Sequence, residues 1–297
     1  MRIRFNYNYM DLAQEFRENY LNTHEKYLKS IADVITQLYW GGGCVSKGIL
    51  DEMEVDQNYF DKIRSSWKGD EEKAFRNLRN SWYHECALNY PFEAEGIDRM
   101  KFAPWKIIQF YYATYTASSA IVRCYDNSEQ LKHEKLMNIL TSNIIMQPKL
   151  GIRFFVPPFG ICVKKGEITP SCKNAIKWEY GKKQHCPNIE ECLLSTYRKR
   201  NKNVTLLHYF KDLREWVNYE DAYLFVRLYG PSVINNLDYS LLKISNAFNT
   251  LSDTFLINFY GFDKVYSEFE TFVGEINTHL KVNPTFLRAR FKLYNRL

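Results

Sequence analysis

Between Pro104 and Tyr125 the chain is apolar on almost every side of a helix. Trp105, Ile107, Ile108, Phe110, Tyr111, Tyr112, Tyr115, Ile121 and Val122 fall all round a 3.6-residue period, so other elements must enclose this helix. Pro104 suits its first turn, where a missing N–H costs no helical hydrogen bond. The small residues Ala113, Thr114, Thr116, Ala117, Ser118, Ser119 and Ala120 let a second helix approach closely. A buried central helix requires a shell. With 297 residues and 45% hydrophobic content the chain can supply one.

Most of that shell also reads as helix. Residues 10–39 carry Leu12, Phe16, Tyr20, Tyr27, Ile31, Val34 and Leu38 at near-helical spacing and stop at Gly41-Gly42-Gly43. A short helix is expected at 50–66, closed by Gly69-Asp70, and another at 71–89, where Phe75, Leu78, Trp82, Cys86 and Tyr90 form one stripe. Further helical signal runs over 132–145, 190–197, 204–229, 238–259 and 262–280, and Pro284 precedes a basic, aromatic tail. Residues 149–187 differ: Gly151, Pro157-Pro158, Gly160, Gly166 and Pro170 surround short apolar runs, the pattern of a small β-hairpin or insertion. The expected fold class is mainly α. Its parts are an N-terminal helical region over 1–70, the first part of a bundle over 71–148, a small β-containing insertion over 149–200, and helices completing the bundle over 201–297.

Several function classes lose their warrant. No apolar run approaches the roughly 18–20 residues needed to cross a bilayer, and Met1–Tyr7 lacks the apolar stretch of a secretory signal. Seven irregularly spaced cysteines suggest reduced thiols and a cytoplasmic setting. Cys162, Cys172, Cys186 and Cys192, with His185, lack the paired spacing of structural zinc, so neither a metal nor a cofactor is expected. Walker, GxGxxG, HExxH and GxSxG signatures are absent. The net charge of +6 is compatible with a nucleic-acid partner.

The chemistry-bearing stretch is Arg79-Asn80-Ser81-Trp82-Tyr83-His84. A guanidinium fork binds phosphate bidentately, and an imidazole moves protons near neutral pH. On one ideal helix Arg79 and His84 point about 140° apart. Uniting them needs the arginine's length, a helix start nearby or a second protomer, and hence a homodimer is expected. Arg214 and Asn218 form a second polar line, and basic clusters at Arg198-Lys199-Arg200 and at Arg288 and Arg290 are candidates for RNA phosphates. His133, just after a loop, reads as a surface or capping residue.

These residues resemble those of the HEPN superfamily, helical bundles whose ribonuclease members carry an arginine and a histidine four to six residues apart. Arg79 to His84 fits that spacing, Gln109–Ala120 looks like the family's aromatic and small-residue helix, and His133 resembles a histidine found after it in some branches. In branches with that aromatic helix the pair usually comes later. The matching segment here, Leu213–Tyr219, keeps Arg214 but has Asn218 and Tyr219 where a histidine would stand. The resemblance implies a HEPN-like bundle acting as a metal-independent endoribonuclease, as in a toxin or antiphage-defence effector with a possible partner protein. Arg79 would hold the scissile phosphate, His84 would act as acid or base, and Asn80 would orient either one. The alternative it implies is a non-catalytic nucleic-acid or protein-binding module on the same bundle.

Overall fold

The computed structural model describes residues 25, 28–29, 31–33, 57–65, 68–89, 102–128, 132–140, 163–164, 167–168, 206–219, 231–280 and 284–295. Eight helices are delimited among them: α1 Gln57–Ser65, α2 Glu71–Asn89, α3 Ala103–Arg123, α4 His133–Leu140, α5 Leu206–Tyr219, α6 Pro231–Tyr260, α7 Phe262–Leu280 and α8 Thr285–Tyr294. Helical residues at 28 and 31–33 add Leu28, Ile31 and Ala32 to the same core. Val163 with Ile168 and Lys164 with Glu167 pair antiparallel. The remainder of the insertion expected over 149–200 lies outside the described residues, as do the helix expected at 190–197 and the four cysteines with His185. The described residues are mainly α-helical.

α3 is the axis of this arrangement, packing against α2, α4, α5 and α6. Ala113, Ala117 and Ala120 are buried and present little more than backbone to their neighbours. α6 comes close enough for Ser252 Oγ to donate to the Ala117 carbonyl at 2.9 Å. That bond is the direct consequence of the small-residue stripe. α5 covers another side through Phe210, whose ring meets Phe110 edge-on at 4.7 Å. Gly261 joins α6 to α7 with φ of 93°, a left-handed geometry that a side chain resists, while its N–H closes α6 onto the Ile257 carbonyl at 2.8 Å.

The C-terminal segment departs from expectation. Residues 285–294, read from sequence as a basic and aromatic tail, are the helix α8, and its apolar side is an integral part of the core. Phe291 stacks on Phe269 with centroids 3.9 Å apart and meets Trp82 edge-on at 5.6 Å. Arg290 is buried. Its Nη1 donates to both carboxylate oxygens of Glu85 at 2.9 Å, and its Nε lies 2.8 Å from Asp253 Oδ2, out of line for a hydrogen bond. Asp253 also accepts from Trp82 Nε1 at 2.9 Å and from the Tyr294 hydroxyl at 3.0 Å. Burial raises the Asp253 carboxyl to about 6, against the opposing pull of Arg290, Trp82 and Tyr294. Arg290 stays charged, because Glu85 and Asp253 more than offset the cost of its burial.

Arg290 was expected to meet RNA. It is instead enclosed between two carboxylates and is not available to a phosphate. Arg290→Ala should destabilise the protein by about 3–5 kcal/mol, since it strands two buried acids. Urea denaturation measures this, and a loss below about 1 kcal/mol would be the behaviour of a surface pair.

Candidate functional site

α2 distributes its polar residues over three directions, as a helix turning about 100° per residue must. Arg79 and Tyr83, four residues apart, face α7, where Arg79 pairs with Glu268 and the Tyr83 hydroxyl donates to Glu275 at 2.9 Å. Trp82 and Glu85 face the interior and its ion cluster. His84 faces α3. Its Nδ1–H donates to Gln109 Oε1 at 2.8 Å, and the ring stacks on Tyr112 with centroids 5.3 Å apart. With Nδ1 carrying the proton, Nε2 keeps the lone pair of a potential base.

Tyr112 is the first ring of a row that continues along α3. Tyr111 lies 5.3 Å from it, and beyond Tyr111 comes His133 at the start of α4, its Nδ1 2.6 Å from the Tyr111 hydroxyl. Tyr115 closes the far end, its centroid 4.4 Å from the His133 ring. The order is thus His84, Tyr112, Tyr111, His133. Over the two middle rings sits the guanidinium of Arg214 from α5, 4.9 Å from the Tyr111 centroid and 5.9 Å from that of Tyr112. Arg214 Nη1 donates to the Tyr112 hydroxyl at 3.2 Å. One cation therefore lies between two imidazoles on an aromatic floor.

The three arginines most prominent in the sequence differ in how fully they are compensated. Arg290 has two buried carboxylates and Arg79 has Glu268. Among the described residues Arg214 pairs with one acid, Glu215, 3.5 Å from Nη2, and its buried Nε has no hydrogen-bond partner there. Such a cation has capacity left for an anion.

Both imidazoles are held neutral. Burial lowers the pKa of His84 below its ordinary 6.5, with the Gln109 hydrogen bond opposing. Burial lowers that of His133 too, helped by the cations Arg214 and Lys211 and opposed by Glu215. The Tyr111 phenol is pushed up by its burial and remains protonated at neutral pH.

The expected site residues are thereby sorted. Arg79 and His84 engage different helices, and the described contacts do not bring them together. Asn80 is exposed, as is Asn218, and Arg288 is half-buried. Arg198, Lys199 and Arg200 lie outside the described residues. Arg214 joins His84 through Tyr112. His133, expected on the surface or in a cap, is instead half-buried against Tyr111. Spacing alone does not separate Tyr111 and Tyr112 from core residues, gives Gln109 no role beyond the aromatic segment, and does not single out Lys211. Gln109, a lone amide in an apolar run, was the available signal. No known family model, curated protein or solved structure matches the chain.

Two outcomes follow. In an NMR titration the His84 and His133 rings should protonate below pH 6.5, and stability should fall as pH drops from 6.5 through those midpoints, because the unfolded chain binds protons that the folded one resists. A midpoint at or above 6.5 for either ring would contradict its burial. Arg79→Ala breaks only a part-exposed pair, so it should cost no more than about 1 kcal/mol in chemical denaturation.

Proposed function

We propose that this protein is a metal-independent endoribonuclease of HEPN type, built on a HEPN-like bundle with a β-containing insertion over 149–200, and that its site is the row His84–Tyr112–Tyr111–His133 beneath Arg214. The observation that carries this reading is the under-compensated Arg214 guanidinium placed between two neutral imidazoles. Arg214 holds the scissile phosphate and stabilises the charge that develops on it. His84, with a free lone pair on Nε2, takes the proton of the ribose 2′-hydroxyl. The 2′-oxygen then attacks phosphorus, the bond to the 5′-oxygen breaks, and that leaving oxygen takes a proton from water while the neutral His133 ring N–H hydrogen-bonds to it; the hydroxide so formed is neutralised by the proton that His84 took. The products are a 2′,3′-cyclic phosphate and a free 5′-hydroxyl.

The resemblance suggested Arg79 in the phosphate role, and Arg214 replaces it here because Glu268 already neutralises Arg79. Arg214 and both histidines come from one chain, so this site needs no second protomer, whereas a site joining Arg79 to His84 would draw on the homodimer. A cytoplasmic effector of toxin or antiphage-defence type remains the setting the family likeness suggests. The second reading, a non-catalytic nucleic-acid or protein-binding module, draws on the same Arg79–Glu268 pair, since it leaves the Arg79-to-His84 motif without its cation.

RNA incubated with the purified protein in excess EDTA should be cut, leaving 2′,3′-cyclic phosphate ends. His84→Ala and His133→Ala should each slow cutting by about 100-fold or more with the fold retained. No cutting across a broad panel of RNAs would favour the binding module, and full activity in both variants would remove His84 and His133 from the mechanism.

A further inference from the structure

One turn of α5 carries two cations and one acid on the same side: Lys211, Arg214 and Glu215. Lys211 Nζ lies 2.9 Å from Glu215 Oε1, and Arg214 Nη2 lies 3.5 Å from the same oxygen. The exposures run in a telling order. The Arg214 side chain is 12% exposed, Lys211 24% and Glu215 42%, so the carboxylate covers cations that lie deeper than it does. A single carboxylate oxygen shared by two cations is a poor match to a guanidinium fork, and Arg214 Nε remains without a hydrogen-bond partner. A phosphate presents several strong acceptor oxygens to the same two groups. Glu215 can rotate into water at small cost, because half-exposed ion pairs of this kind are weak.

We propose that Lys211 and Arg214 form one anion seat, which Glu215 occupies in the free protein and yields to an RNA phosphate. The seat rests on the reading of Arg214 as the phosphate arginine. It adds Lys211 as a second phosphate contact and gives Glu215 the role of a resident substitute anion. Binding at this seat is selective for ligands that outcompete a tethered carboxylate, which disfavours isolated carboxylates and weakly charged molecules. The same displacement removes a negative charge from the neighbourhood of His133 as substrate arrives, and the incoming phosphate restores it.

The test is the fluorescence anisotropy of a short single-stranded oligoribonucleotide carrying 2′-fluorine at every position, which binds without being cut. E215Q should bind it about threefold to tenfold more tightly than wild type. E270Q, which removes an exposed carboxylate from α7, should match wild type, and K211Q and R214Q should both bind more weakly. If R214Q weakens binding while E215Q behaves like wild type or like E270Q, the seat is overturned and the phosphate role of Arg214 survives. K211Q binding as tightly as wild type overturns the shared seat in the same way. If R214Q binds as wild type does, the site reading itself falls and takes the seat with it. Glu215 is partly exposed, so E215Q should melt with wild type, and an unchanged melting temperature separates the binding effect from misfolding.

Discussion

The carboxylate of Glu85 fixes the rotation of α2, and everything about the candidate site depends on that rotation. A buried acid is expensive unless a cation meets it with good geometry. Here Arg290 reaches both of its oxygens from α8, and Asp253 on α6 binds the other side of the same guanidinium. Three helices far apart in sequence are thus pinned by one charged centre. With Glu85 and Trp82 turned inward, the neighbouring positions have no freedom left. Arg79 must face α7, and His84 must face α3.

The second consequence is electrostatic. His84 and His133 are half-buried against tyrosine rings, and that burial keeps both imidazoles neutral. The tyrosine floor accepts a cation face-on, so Arg214 can rest there without a full carboxylate partner. Several charges among the described residues are already matched. Among the described residues Arg290 has two carboxylates, Arg79 and Lys106 each have an acid, and Arg123 donates to the carbonyls of Asp126 and Ser128. Arg214 has one shared carboxylate oxygen at 3.5 Å and a tyrosine floor beside the two imidazoles, and partial compensation at that place is what a ligand can complete.

Much of the fold was legible in the chain. The helix at 71–89 and the one at 262–280 appear with the expected bounds, because Asp70 caps the first through a 2.9 Å bond to the Lys73 N–H and Gly261 sets the start of the second. The apolar run from Pro104 became the central helix for the stated reason. Periodicity misjudged α8, since Arg288, Arg290 and Lys292 made ten residues look solvated, and only a partner such as Glu85 shows that one of the three is buried. The site was less legible for a similar reason. Helical spacing puts Arg79 and His84 on different faces, yet spacing cannot reveal that Glu268 waits for the first and Gln109 for the second. Nor can it reveal that Arg214 crosses more than a hundred residues of chain to reach Tyr111 and Tyr112. Resemblance had pointed to the segment holding Arg214 and to His133, and it was tertiary packing that joined them.

The claim at the centre of this account is that Arg214, and not Arg79, meets the phosphate. Measuring RNA cleavage rates of Arg214→Gln and Arg79→Gln side by side, in EDTA and at equal folded concentration, tests it most directly. The account predicts that Arg79→Gln cuts at close to the wild-type rate while Arg214→Gln loses about 100-fold or more. The opposite order, with Arg79→Gln inactive and Arg214→Gln unaffected, would contradict it.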